Sequence, residues 1–306
     1  MFPNCVTFDS THLKREGGVR LVVTVGLLLL PLGYGLARSV QGASQPPPPA
    51  RAKVVLQDAH TVLLHRAGAA DAYRIFVALP ASYNSSEKRY PVLYTLDANS
   101  GFALIAQTYR LLRVDPATPD LVLVGIGYDE TGADRRNRRG RDLTPTRLST
   151  DANTGGSQAF LAFVAETLIP FVDSTYRTIP SDRAIHGHSI GGMFALYALF
   201  HQPELFRRYM VSSPSLWWDD AVIFKYESQF AQRHSSLAKS VFLSVGSEEP
   251  EDMRTYFRPF VDKLRSRGYA GLSVDAVVLP RTISQSSARL SSEVFGLYTV
   301  PRRLGK

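Results

Sequence analysis

Ala184-Ile185-His186-Gly187-His188-Ser189-Ile190-Gly191-Gly192-Met193-Phe194-Ala195 reads as strand, tight turn and helix. It holds Gly-x-Ser-x-Gly at Gly187, Ser189 and Gly191, with a further glycine at Gly192. A short apolar run leads in, and an Ala/Leu-rich segment leads out to about His201. A serine at the tip of such a turn is lifted clear of a sheet, its hydroxyl open to a substrate carbonyl. Flanking glycines avoid the collisions a Cβ would make with the adjoining strand and helix. The helix that begins after Ser189 aims its first free N–H groups at a developing oxyanion. The five-residue pattern alone is weak, since a Gly-rich structural turn looks the same. Its place at a strand-to-helix junction gives it weight.

On either side of the elbow, strands alternate with helices. Residues 54–65 and 73–79 read as strands, as do Tyr90-Pro91-Val92-Leu93-Tyr94-Thr95-Leu96, 121–127, 183–187, 209–211, 240–245 and 272–279. Helical spacing falls at 101–113, 158–176, 221–238 and 252–267, and the arginine-rich stretch 135–141 reads as a polar loop. This predicts an α/β fold, a mostly parallel central sheet with helices on both faces. Ligands of such sheets sit at the carboxyl ends of strands. Asp97–Ser100, Gly127–Asp129, Ser189, Ser212–Trp218 and Gly246–Glu249 all fall there, so they are expected to converge on one cleft.

The chain has 306 residues, 44% hydrophobic and 20% charged, enough to bury a sizeable core. Its formal net charge is +8, with much of the excess in Arg135-Arg136-Asn137-Arg138-Arg139-Gly140-Arg141. No nucleic-acid motif or aromatic interleaving accompanies these arginines, so nucleic acid is not an expected partner. Cys5 is the only cysteine, which excludes an intramolecular disulfide and a cysteine-based zinc site. Near the N-terminus, Lys14, Arg15 and Arg20 precede an apolar stretch from Leu21 to about Ala37, followed by small residues. Over residues 1–43 this is an export-signal layout, with an uncleaved membrane anchor as the rival reading. Export predicts a periplasmic protein; retention predicts one held at the inner membrane. Residues 44–51 form a stiff proline-rich linker, and the folded domain is expected from 52 to 306, with an atypical Ser/Arg-rich tail from about 281.

Several dispersed pieces carry a resemblance. They are Tyr90-Pro91-Val92-Leu93-Tyr94 with Leu96-Asp97 and Asn99; Val124-Gly125-Ile126-Gly127-Tyr128; Arg141-Asp142-Leu143-Thr144-Pro145; Gly187-His188-Ser189-Ile190-Gly191-Gly192; Ser213-Pro214-Ser215-Leu216-Trp217-Trp218; and Val245-Gly246 followed by glutamates. With these in order from about Val54 to Pro280, the chain resembles the putative-esterase branch of the α/β-hydrolases. Within that branch it is most similar to esterases of catecholate siderophores of the enterobactin and salmochelin type. The resemblance implies ester hydrolysis through an acyl-Ser189 intermediate, with no metal or organic cofactor. The expected partner is a small-molecule ester, such as a ferric catecholate siderophore whose iron arrives as part of the substrate.

The resemblance also assigns roles. Ser189 is the nucleophile, and the backbone N–H groups of Ile190 and Ala98 form the oxyanion site. The chain order of this fold is serine, acid, histidine, which makes Glu249 the acid, with Glu248 and Glu251 as rivals. All three also suit the solvated start of a helix. Arg141 is expected to meet an anionic substrate group, or else to form a loop ion pair. Trp217 and Trp218 are expected to stack on aromatic rings, or one of them to pack inward. The histidine is missing. All seven, His12, His60, His65, His186, His188, His201 and His234, precede Glu249, and Ser284 stands where the family places its base. A serine hydroxyl cannot accept a proton near neutral pH. Three readings therefore stand: an impaired siderophore-type esterase, an esterase-like binding protein without turnover, and a general carboxylesterase or acyltransferase.

Overall fold

The computed structural model describes residues 55–66, 68, 71–129 and 132–281. The expected export segment and linker, the domain start expected at 52 and the tail with Ser284 lie outside them. The β-branched and aromatic runs become β1 (Ala59–His65), β2 (Ala72–Ala78), β3 (Tyr90–Thr95), β4 (Val122–Tyr128), β5 (Thr178–His188), β6 (Arg208–Ser212), β7 (Ser240–Gly246) and β8 (Ser273–Leu279). They form one sheet in the order β1-β2-β4-β3-β5-β6-β7-β8. β1 and β2 form a hairpin, β2 runs antiparallel to β4, and every remaining pair is parallel. β4 is buried at every position, as befits a strand covered on both sides.

Successive side chains on a strand point to opposite faces. Leu93, Leu123, Ala184 and Met210 therefore share one face, where they pack with Phe102, Ile105 and Tyr109 of α1 (Ala98–Leu112). Ile185, Tyr209 and Val211 belong to the main core with α5 (Ile190–His201), which is apolar all round and buried from Gly191 to Phe200. The remaining helices are α2 (Gly132–Leu143), α3 (Ser157–Phe163), α4 (Ile169–Thr175), α6 (Trp218–Ala231), α7 (Glu251–Thr255) and α8 (Phe257–Ser266).

Three expectations need correction. The arginine-rich stretch is a helix, α2, not a loop. It shows no apolar stripe because arginine stems take the inward positions. Arg138 is buried, its guanidinium 4.8 Å from the Tyr73 ring centre and 5.3 Å from that of Tyr128. The single helix expected at 158–176 is α3 and α4 joined by a π-helical turn at Val164–Leu168. Pro170 opens α4, and its missing N–H removes one i→i−4 bond just there. The helix expected at 252–267 is two, α7 and α8.

A buried carboxylate ties the polar helix α6 to the rest. Glu227 is fully buried and accepts from Arg267 at 2.8 and 3.0 Å, from Tyr269 at 2.9 Å, and pairs with Lys263 at 3.2 Å. These donors hold the Glu227 carboxyl below its usual range against the opposing effect of burial. A carboxylate so surrounded has its lone pairs satisfied, the condition under which a buried charge is tolerated.

Candidate active site

Ser189 stands between β5 and α5 at φ 58, ψ −124, a conformation L-residues rarely adopt. The chain must turn from strand to helix within one residue, and the glycines make room. A Cβ on Gly187 would overlap the Gly191 carbonyl and lie 2.9 Å from Gly192 N. Backbone bonds fix the turn: Ser189 N donates to Ser212 O at 3.0 Å, Met193 N to Ser189 O at 3.1 Å, and Ser215 N to Ser189 O at 3.2 Å. The strand ends are thereby brought together as expected. Leu96 N bonds His186 O at 3.0 Å, and Ser213 N bonds Ser244 O at 2.7 Å.

Ile190 and Ala98 are the first residues of α5 and α1, so neither N–H has an intrahelical acceptor. Their strands are paired neighbours, with Thr95 of β3 opposite His186 of β5. Of the three candidate carboxylates, Glu249 alone is half-buried; Glu248 and Glu251 are exposed. Glu249 Oε1 accepts from Ser213 Oγ at 3.0 Å.

The side-chain neighbour of Ser189, the expected nucleophile, is another serine. Ser189 Oγ lies 3.4 Å from Ser215 Oγ, which is buried and points on to Met253 Sδ at 3.9 Å. Trp217 Nε1 donates to the same sulfur at 3.2 Å. Trp218 Nε1 donates to Thr146 Oγ1 at 3.1 Å, and the two indoles sit 5.9 Å apart, both half-buried. Arg141 has two carboxylate partners, Asp71 and Asp142, each at 2.8 Å, which is the ion-pair reading of that residue. The arginine beside the elbow is Arg139, paired with Asp97 at 2.6 Å. Ser215, Met253 and Arg139 were not singled out from the sequence. Only the Ser-Pro-Ser-Leu-Trp-Trp run hinted at the first.

No imidazole among the described residues bonds Ser189. His60 is bonded to Tyr176 at 2.8 Å, His201 meets the Tyr197 carbonyl at 2.9 Å, and His234 stacks on Phe230. His188 is held below its usual range by burial; the Glu249 and Asp97 carboxylates oppose this and Arg139 reinforces it. Among the described residues, no three His, Cys, Asp or Glu side chains form a metal-binding cluster.

Residues 69–262 match the family model described as putative esterase. The chain belongs to that family. It is 32% identical over 192 residues to the ferri-bacillibactin esterase BesA of Bacillus subtilis, covering 58% of this chain and 66% of that one. It is 33% identical over 204 residues to the siderophore enterobactin esterase of Emericella nidulans, covering 60% and 67%. The chain thus spans about two thirds of the length of these relatives. Among solved structures, the siderophore hydrolase EstA from Aspergillus nidulans superposes with a TM-score of 0.69 at 26% identity, covering 82% of this chain and 99% of that one.

Beneath this family's elbow lies His186. Its Nδ1 is 3.1 Å from Thr95 Oγ1, and its Nε2 is buried with no hydrogen-bond partner among the described residues. Burial, then the nearby His188, push the His186 imidazole down to about 4, with Asp97 opposing. The unfolded chain, titrating near pH 6.5, binds a proton that the folded chain refuses. Stability is therefore intact at neutral pH and falls as pH drops from about 6.5 to 4, by up to about 3 kcal/mol from this residue. His186→Asn keeps an acceptor or donor for Thr95 and is expected to flatten that decline. Urea midpoints of the two proteins at pH 5 and 7.5 measure it; parallel declines would show that His186 is not the group.

Proposed function

We propose that this chain hydrolyses siderophore esters through an acyl-Ser189 intermediate, slowly, because its usual proton acceptor is missing. The observation that carries the reading is Ser189 at φ 58 on a Gly-flanked elbow between β5 and the start of α5. Ser189 Oγ attacks the ester carbonyl as its proton passes to water, the oxyanion is met by the N–H groups of Ile190 and Ala98, and the ester C–O bond breaks as the departing alkoxide takes a proton from water. Water then releases the acid from Ser189. Glu249 is the acid of the site, and the tryptophan pair lines the aromatic side of the cleft. Iron comes with the substrate. Siderophore specificity rests on the named activities of the relatives, and export on the basic flank and apolar stretch of the N-terminus.

The missing histidine favours a second reading, an esterase-like protein that binds such esters without turning them over. Incubation with an aryl ester and with a ferric catecholate siderophore ester separates the two. Wild type is expected to cleave both, the siderophore ester with the higher kcat/KM, and to carry an acyl adduct by intact mass. Ser189→Ala is expected to lose all of the adduct and the turnover that runs through it. Ligand binding with no product and no adduct would establish the second reading. Cleavage of simple esters in preference would point to a general carboxylesterase or acyltransferase.

A further inference from the structure

The turn at the end of β3 is strained like the elbow it faces. Asp97 stands at φ 57, ψ 33, in the left-handed region, and precedes α1 without a capping bond from its side chain to the helix. Aspartate reaches this region more readily than most residues, at a cost that its surroundings must offset. Three anchors do so. Asp97 O accepts from Ser100 N and Gly101 N, each at 3.1 Å. Asn99 is clamped to β4, its Nδ2 donating to Tyr128 O at 2.8 Å and its Oδ1 accepting from Tyr128 N at 2.7 Å. The Asp97 carboxylate is gripped by Arg139 of α2, Nε to Oδ1 at 2.6 Å and Nη2 to Oδ2 at 2.8 Å.

That two-pronged pairing fixes the carboxylate in plane and in distance, which a single ammonium cannot do. The turn also reaches the nucleophile's helix: a Cβ on Gly191 would stand 3.4 Å from Asp97 Oδ2. Ala98 therefore lies between two residues anchored to different elements, beside the first turn of α5.

We propose that Arg139 is a positioning residue for the reaction at Ser189, holding Asp97 so that the Ala98 N–H is aimed at the oxyanion. This rests on the ester-hydrolase reading above. It differs from a substrate-binding arginine, because Nε and Nη2 are already engaged by Asp97. Its mark is on kcat, since an oxyanion donor acts on charge that develops only in the transition state.

The variants are Arg139→Lys, which keeps the charge and loses the fork, Arg139→Met, and Asp97→Asn. Three readouts are taken: aryl-ester kinetics, the rate at which a fluorophosphonate labels Ser189 by intact mass, and amide hydrogen exchange over 96–101. Each variant is expected to lose about 10- to 100-fold in kcat with KM within about threefold, and to lose labelling rate by a similar factor. Exchange over 96–101 is expected to quicken about tenfold while the core strands keep their protection. The Arg139→Met/Asp97→Asn double variant is expected to be no slower than the worse single one, because the residues act as a pair. Wild-type labelling in Arg139→Lys and Arg139→Met, or a raised KM with kcat kept, would overturn the proposal. If wild-type Ser189 takes no label, the ester-hydrolase reading falls by itself. Exchange then decides whether Arg139 holds the turn, and unchanged exchange in Arg139→Met sinks that too.

Discussion

Ser284→His is expected to raise ester turnover by about two to four orders of magnitude, the range that a missing general base costs a serine hydrolase. No histidine follows His234 in the sequence. The described imidazoles other than His188 are engaged or lie on other elements, and His188 makes no bond to the nucleophile. Among the described residues, the side-chain hydrogen-bond partner of Ser189 Oγ is Ser215 Oγ, a hydroxyl that cannot take up a further proton near neutral pH. Position 284 comes from the family resemblance and lies outside the described residues, which end at Arg281. Ser247 N bonds Leu279 O at 2.7 Å, and Arg281 N bonds Ser247 Oγ at 3.1 Å. The chain thus leaves β8 against the turn that presents Glu249. A histidine there is expected to add an acid limb to the pH–rate profile near pH 6–7, absent from wild type. Stopped assays of both proteins across pH 5–9 decide it. An unchanged rate and profile, with Ser189 still labelled by a fluorophosphonate, would place the base elsewhere.

Gly187→Ala is expected to carry the largest cost to stability, about 3 kcal/mol or more, with loss of Ser189 labelling. The added methyl would meet the Gly191 carbonyl and Gly192 N, which are backbone atoms of the first turn of α5. They can yield only if the helix start moves, and that start is itself bonded through Ser189 to β6. Gly191→Ala is the control. Its nearest neighbours would be Asp97 Oδ2 and Leu96 Cδ1 at 3.4 Å, ordinary contact, so it is expected to fold with nearly wild-type stability. Urea midpoints of both variants test the contrast. Equal midpoints would show that the elbow has slack the geometry does not suggest.

Where the sequence was legible, a local rule forced a local shape. Glycine spacing around Ser189 marked the elbow, and runs of β-branched residues marked the sheet. The carboxyl-end rule then brought distant turns to one cleft. The absent histidine needed only counting. What stayed hidden depended on partners far along the chain. Five arginines between 135 and 141 look alike on paper. Only the helix they form sends Arg138 onto aromatic rings, Arg139 to Asp97 and Arg141 to Asp71 and Asp142. Glu249 was separable from Glu248 and Glu251 only by the turn after β7, which half-buries one of the three. Met253 carried no signal, because a lone methionine on a short helix announces neither its neighbours nor the cleft.

The strand order has a consequence for how the molecule assembles. β5, which delivers Ser189, pairs with β3 and β6, and its contacts with β3 join residues some ninety positions apart, Leu93 with Ala184. Closing loops of that length comes before any reward from the pairing, so such contacts form late and slowly. The β1–β2 hairpin has no such burden. A refolding chain is thus expected to gain much of its secondary structure before the Ser189 elbow forms, so that the elbow marks the end of folding rather than its progress.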